Sequence, residues 1–291
     1  MTSPKSSPIP RVCVVGAGTM GHGIAYAAAL AGCAVTLTDS SRPALEAAWG
    51  KLDALLAGGI KRGKLTDADA ALIRGRVRTE PDLGGAAADA DVVIEAVIEQ
   101  IEVKRHLFAD VERHTPPGAL LATNTSSLSV ADIAAALTDP RRCIGLHFFN
   151  PVHVMKLVEV VTHAGTRQDT VDRATAFVRF LGKEPIVVKD SPGFASSRLG
   201  VVVGLEAMRM LEQGVATAED IDKAMELGYG HPMGPLKLTD LVGLDVRLAI
   251  AEYLHKTLKL PHYAPPQILK SKVAKGELGK KTGKGFYTWS D

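Results

Sequence analysis

RVCVVGAGTMGHGIAYAAALAGCAVTLTD, residues 11–39, decides the fold. It opens on an apolar run, Arg11 to Val15, and closes on another, Ala34 to Thr38, both short enough to be buried strands. Between them Met20, Ile24, Ala27 and Ala31 recur at helical spacing until Gly32 stops the helix. Strand, glycine turn, helix and strand together predict parallel strands joined by crossover helices. The turn reads Gly16-Ala-Gly18-Thr19-Met20-Gly21. In such a G-x-G-x-x-G loop the first glycine permits the tight turn and the second lets a pyrophosphate approach the backbone. The third lets helix and strand pack closely. The helix N-terminus then offers N–H groups and a positive dipole end to the phosphates. Asp39, closing the second strand, is placed to accept hydrogen bonds from the adenosine ribose hydroxyls. That favours NAD, because a carboxylate repels the 2′-phosphate of NADP; Arg42 nearby tempers the preference.

The same alternation continues outward. From Ala44 to about Ile73 the pattern is helical, with a turn expected at Lys61-Arg62-Gly63-Lys64. Further strands are expected at Val77, Asp91 to Ile94, Ala119 to Ala122 and Cys143 to Leu146. Two more, Lys156 to Val161 and Pro185 to Lys189, complete the sheet. After Lys189 the strand patterns stop. Ser191 before Pro192 reads as a helix cap, predicting a helix to about Gln213 with Gly214 as terminator. Thr217-Ala-Glu-Asp220 opens another, ended by Gly228, and Leu241 to Leu258 is helical again. The expected fold is an α/β Rossmann-type domain with a mostly parallel sheet over 10–189, followed by a smaller all-α domain over 190–291. A polar, proline-rich, frayed tail is expected over 1–9.

Composition narrows the function. The formal net charge of +2 argues against a nucleic-acid binder, and no metal site is expected. Cys13, Cys33 and Cys143 are too few and scattered for a disulfide framework or zinc cluster. They read as reduced core thiols of a cytoplasmic protein. The N-terminus lacks the apolar core of a signal peptide, and no segment approaches the roughly 18 apolar residues that cross a bilayer. No membrane association is expected.

In open parallel sheets, ligands bind outside the carboxyl ends of the strands. Asn124-Thr-Ser126-Ser127 follows one such end, and His147 follows another. Glu159 interrupts the apolar run Leu157-Val158-Val160-Val161, and a carboxylate there is costly unless something pairs with it. The pairing that accounts for it puts Glu159 against His147, which then exchanges a proton as hydride moves to or from the nicotinamide. Ser126 is suited to hold the reacting oxygen. A satisfied core histidine and helix-capping serines are the competing readings, and His153 and His163 are alternative bases.

These stretches resemble a known family. Asn124-Thr-Ser-Ser-Leu128, Gly145-Leu-His-Phe-Phe-Asn-Pro151, Met155-Lys-Leu-Val-Glu159 and Lys189-Asp-Ser-Pro-Gly-Phe194 are similar to motifs of the L-3-hydroxyacyl-CoA dehydrogenases. The likeness continues through Gly228 to Pro235 and Gly279 to Tyr287. The resemblance implies reversible NAD-dependent oxidation of a short-chain (3S)-3-hydroxyacyl-CoA. It makes His147 the base, Glu159 its partner and Ser126 the substrate-oxygen ligand. It implies that Glu99, Lys104 and Asn124 lie at the cofactor and Asn150 beside nicotinamide and substrate. It also gives Lys61, Arg62 and Lys64 a role toward the phosphates of coenzyme A. Ser197 stands where the family has an asparagine near the substrate carbonyl, and losing such a donor costs on the order of 100-fold in rate if nothing replaces it. The apolar runs Leu199 to Leu211 and Leu236 to Ile250 exceed what so small a domain buries, and with the resemblance they imply a homodimer. Two other readings stay open at this point: a dehydrogenase of a free hydroxy acid or sugar acid, and a catalytically weak cofactor-binding homologue.

Overall fold

The computed structural model describes residues 10–290; the tail expected over 1–9 lies outside them. The chain divides into two compact units, one ending at Asp190 and the other beginning at Ser191.

The first unit is an eight-stranded sheet of β1 (Arg11–Val15), β2 (Ala34–Thr38), β3 (Val77–Thr79), β4 (Val92–Glu95), β5 (Leu120–Thr123), β6 (Cys143–Phe148), β7 (Leu157–Thr162) and β8 (Glu184–Lys189). Its spatial order is β3-β2-β1-β4-β5-β6-β7-β8. Strand order reverses between β1 and β4, which opens a crevice beyond their carboxyl ends. All pairs are parallel except β6 with β7. Helices α1 (Thr19–Leu30), α2 (Arg42–Lys61), α3 (Asp67–Gly75), α4 (Leu83–Ala87), α5 (Ile101–His114), α6 (Val130–Ala134) and α7 (Gln168–Phe180) make the connections. The core is built on the strands, with Val14, Leu37, Ile94, Leu120, Ile144 and Val160 essentially inaccessible to water. The α2–α3 hairpin turns at residues 62–66, where the sequence put it. Gly63 has φ +65°, and Thr66 and Asp69 form a reciprocal capping box.

The second unit is helical: α8 (Ser196–Glu212), α9 (Ala218–Tyr229), α10 (Pro235–Val242), α11 (Leu244–Leu258) and α12 (Gln267–Ala274). Leu205, Met208, Leu236, Leu244, Leu254 and Leu269 form its core. Three boundaries differ from the sequence expectation. The helix read from Ser191 begins at Ser196, because Gly193 and Phe194 have φ +74° and +48°, outside the helical region. Gly228 stays helical while Gly230 takes the left-handed conformation that ends α9. The helix read from Leu241 to Leu258 begins instead at Leu244, after Gly243 (φ +103°), which separates it from α10.

Two buried carboxylates organise this unit. Asp222 accepts the Leu236 and Lys237 amides at 2.8 and 2.9 Å, and so caps α10 from a distance in sequence. Asp240 accepts the Phe286 and Tyr287 amides and the Trp289 indole N–H at 2.8, 2.9 and 2.8 Å. The glycines of the adjoining motifs are spatial requirements, since a Cβ at Gly234 would strike Asp222 and one at Gly285 would strike Asp240.

Candidate active site

The glycine loop joins β1 to α1, and its three glycines answer to three constraints. Gly16 has φ +106°, and a Cβ there would sit 2.6 Å from the Ala96 carbonyl oxygen that follows β4. A Cβ on Gly21 would collide with the Gly16 carbonyl, so helix and loop touch through hydrogen alone. At Gly18 nothing lies within 4 Å of a Cβ position, and Gly18 and Thr19 are exposed. No side chain caps α1, so its first N–H groups face that open side. Asp39 accepts the Ala17 amide through Oδ2 and the Ser41 amide through Oδ1, both at 2.8 Å. It therefore shapes the loop as well as ending β2. An open glycine face, an uncapped helix start and a half-buried acid at the β2 end fit a dinucleotide.

His147 lies within β6, one residue inside a strand that the sequence reading ended at Leu146. Its partner comes from the one antiparallel pairing in the sheet: His147 and Glu159 are directly opposite in register, so their side chains share a face. Glu159 Oε2 is 2.8 Å from His147 Nδ1, with the carboxylate fully buried and the imidazole nearly so. The ring of Phe149 packs beside the imidazole at 4.5 Å between centroids. The alternative bases sit elsewhere. His163 is engaged by the Pro140 carbonyl and the Gly165 amide, and His153 is exposed beyond β6.

Next to this pair, the ends of β4 and β5 carry a second charged group. Lys104, on α5, is completely buried, with Nζ 2.5 Å from Glu95 Oε1 and 3.2 Å from Glu99 Oε2. Glu95 also accepts the Val97 amide at 2.7 Å and the Thr123 hydroxyl at 2.6 Å. Glu99 accepts the Thr125 hydroxyl at 2.5 Å and the Ser126 amide at 2.9 Å, with the Ser126 and Ser127 hydroxyls at 3.4 and 3.3 Å. Burial alone would raise the Glu99 pKa, but Lys104 and these donors outweigh it and hold the carboxyl below its ordinary range. Asn124 Oδ1 accepts the Phe148 amide at 2.9 Å and ties the β5 loop to the end of β6. Ser126 and Ser127 cap no helix; Ser129 caps α6, helped by Asp190, which accepts both the Ser129 hydroxyl and the Ala131 amide. Glu95 and Asp190 are the residues that sequence reasoning missed. Glu95 carried a related signal to the one that exposed Glu159: a carboxylate at the end of an apolar run rather than inside one.

Arg62 and Lys64 line a cleft of about 830 Å³ together with Tyr26, Leu30, His153 and Lys183; Lys61 is exposed and outside its lining. Burial first, and then the charges of Arg62, Lys183, His22 and Lys64, push the His153 pKa down. Asn150 is exposed just after β6, and Ser197 is half-buried in the first turn of α8. The three cysteines are buried thiols; burial pushes Cys13 up to about 12 and Cys33 up to about 11, so neither acts as a nucleophile near neutral pH.

One sheet carries a dinucleotide-type glycine loop and a buried histidine–carboxylate pair, parts that suit a nicotinamide-dependent dehydrogenase, and comparison with known proteins narrows the class. Residues 11–191 match the family model for the 3-hydroxyacyl-CoA dehydrogenase NAD binding domain, and residues 193–289 match the model for the C-terminal domain. A 3-hydroxybutyryl-CoA dehydrogenase of Mycobacterium tuberculosis is 43% identical over 286 residues, covering 98% of this chain and 100% of that protein. A probable 3-hydroxybutyryl-CoA dehydrogenase of Bacillus subtilis is 42% identical, covering 97% and 98%. The crystal structure of (S)-3-hydroxybutyryl-CoA dehydrogenase from Ralstonia eutropha superposes with a TM-score of 0.92 at 40% identity, covering 97% of this chain and 100% of that one. The chain belongs to the 3-hydroxyacyl-CoA dehydrogenase family and is an NAD-dependent oxidoreductase. Among the described residues, no helix is long and apolar enough to cross a membrane.

Proposed function

We propose that the protein interconverts a short-chain (3S)-3-hydroxyacyl-CoA, such as 3-hydroxybutyryl-CoA, and the 3-oxoacyl-CoA. The observation that carries this reading is the in-register His147–Glu159 pair, on the same sheet whose β1 end carries the glycine loop. Bound NAD would supply the hydride acceptor; Gly16, Gly18, Thr19, Met20, Gly21 and Asp39 would hold it, with Glu99 and Asn124 toward its nicotinamide half and Lys104 buried behind Glu99. In the oxidation, His147 Nε2 takes the hydroxyl proton as the C3 hydrogen leaves with its electron pair, and the carbon–oxygen double bond forms. Glu159 orients the ring through Nδ1 and stabilises the imidazolium that results. In the reverse direction the imidazolium returns the proton to the oxygen.

Ser126 holds that oxygen in line, and Asn150 positions the rest of the acyl group. Arg62 and Lys64 in the cationic cleft, with Lys61 beside it, attract the phosphates of coenzyme A. The enzyme works in the cytoplasm as a homodimer.

Acetoacetyl-CoA with NADH should give NADH oxidation, while free acetoacetate should give little. His147→Gln should bind NADH as the wild type does and turn over about a thousandfold more slowly. No turnover of any 3-oxoacyl-CoA by the wild type, or a near-normal rate in the variant, refutes the assignment.

A further inference from the structure

Glu95 is the one charged member of the strand-end cluster without an assigned role, although its side chain is only 1% exposed. Three donors address its two oxygens: the Lys104 ammonium and the Val97 amide at Oε1, and the Thr123 hydroxyl at Oε2. Lys104 is equally buried, so its ammonium serves only the two carboxylates around it. One ammonium between two carboxylates leaves the group with a charge of −1. Both Glu95 and Lys104 are sealed from water, whereas the Glu99 side chain is 37% exposed, so the surplus negative charge shows at Glu99. If Glu95 were neutral, Lys104 would cancel Glu99 and the exposed edge would carry no net charge.

We infer that Glu95 is a positioning residue that acts through Lys104 to keep Glu99 negative toward the cofactor, and so favours the oxidised nicotinamide over the reduced one. The inference rests on the reading of Glu99 as a nicotinamide-side residue. Its physical basis is that the oxidised ring is positively charged and the reduced ring neutral, so a fixed charge nearby acts on one form only. In a partly buried site such a charge discriminates on the order of tenfold. Glu95 itself touches neither cofactor nor substrate in this scheme. Its effect is therefore on the ratio of the two cofactor affinities, which lost packing alone would not change.

The test measures the dissociation constants of NAD+ and NADH separately, by calorimetry and by NADH fluorescence. In Glu95→Gln the ratio of the NAD+ to the NADH constant should rise about tenfold, almost wholly through weaker NAD+ binding. Thr123→Val, which removes a hydrogen bond to Glu95 without changing charge, should keep the wild-type ratio. The double substitution Glu95→Gln/Lys104→Met deletes one charge of each sign and should restore the wild-type ratio, and it decides the matter if the single variant does not fold. An unchanged ratio in folded Glu95→Gln, an equal shift in Thr123→Val, or a shifted ratio in the double variant overturns the inference. A wild type that binds neither nucleotide would overturn the proposed function instead.

Discussion

Two carboxylates share the Lys104 ammonium, and their different exposure gives Glu99 a titration signature of its own. Its pKa lies below the ordinary glutamate value of 4.5, since Lys104, Thr125 and Ser126 outweigh the opposing effect of burial. A group whose pKa is depressed by folding contributes stability that is full above the unfolded value and lost as pH falls through the folded value. The stability difference between wild type and Glu99→Gln should therefore be constant from about pH 8 to about pH 6. It should narrow only below about pH 4.5, in urea melts followed across that range. A difference already shrinking between about pH 7 and 6 would show that Glu99 is not held as a carboxylate by these donors. The sequence made one such pair legible and hid the other. Glu159 stood out because an apolar strand run surrounds it and His147 offered a proton partner at a neighbouring strand end. Glu95 ends an apolar run instead of interrupting one, and its counter-charge comes from α5, nine residues on. Nothing in the spacing marks Lys104 as a buried ammonium rather than one more solvated lysine, since helix faces that carry lysine usually face water.

Element boundaries in the helical unit depend on side chains far away in sequence. Asp240 shows the energetic weight of such contacts. It lies on α10, yet it satisfies three N–H donors of the C-terminal segment around Phe286 to Trp289. Asp240→Ala would leave those part-buried donors without their acceptor, which costs about 3 kcal/mol at roughly 1 kcal/mol each. Urea unfolding should show a midpoint lowered accordingly, with NAD binding by the first unit retained; an unchanged midpoint would mean that the donors find other partners at no cost. The sequence could not announce this, because Gly279 to Tyr287 reads as a glycine-rich turn with no stated destination. The same holds for helix ends. Ser191-Pro192 has the composition of a helix start, but Gly193 and Phe194 take positive φ, and only then can α8 begin. Gly228 and Gly230 are both suitable terminators by residue type; backbone conformation selects the second. Where every constraint was local, as at Gly32, Gly63, Gly214 and Thr217, the sequence reading and the structure agree.

At the scale of the whole molecule, what remains to be explained is apolar surface. The runs from Leu199 to Leu211 and Leu236 to Ile250 supply the core of the helical unit through Val201, Leu205, Met208, Leu236 and Leu244. Yet Leu199 is 69% exposed, and Leu238, Leu241, Val242 and Val246 are each about 40% exposed. Single exposed leucines are ordinary, but these five lie on α8, α10 and α11, three helices packed against one another. Transferring such a group from water into an interface between two copies releases about 25 cal/mol per Å² buried, and a two-fold axis would bury each residue twice. Light scattering at micromolar concentration should accordingly give twice the chain mass of 30.8 kDa. Charging the surface at two points, with Leu238→Glu and Val242→Glu together, should return the chain mass with an unchanged helical circular dichroism spectrum, since neither residue belongs to the unit's core. A wild-type monomer would refute the homodimer outright, and a variant that stays dimeric would move the interface away from α10.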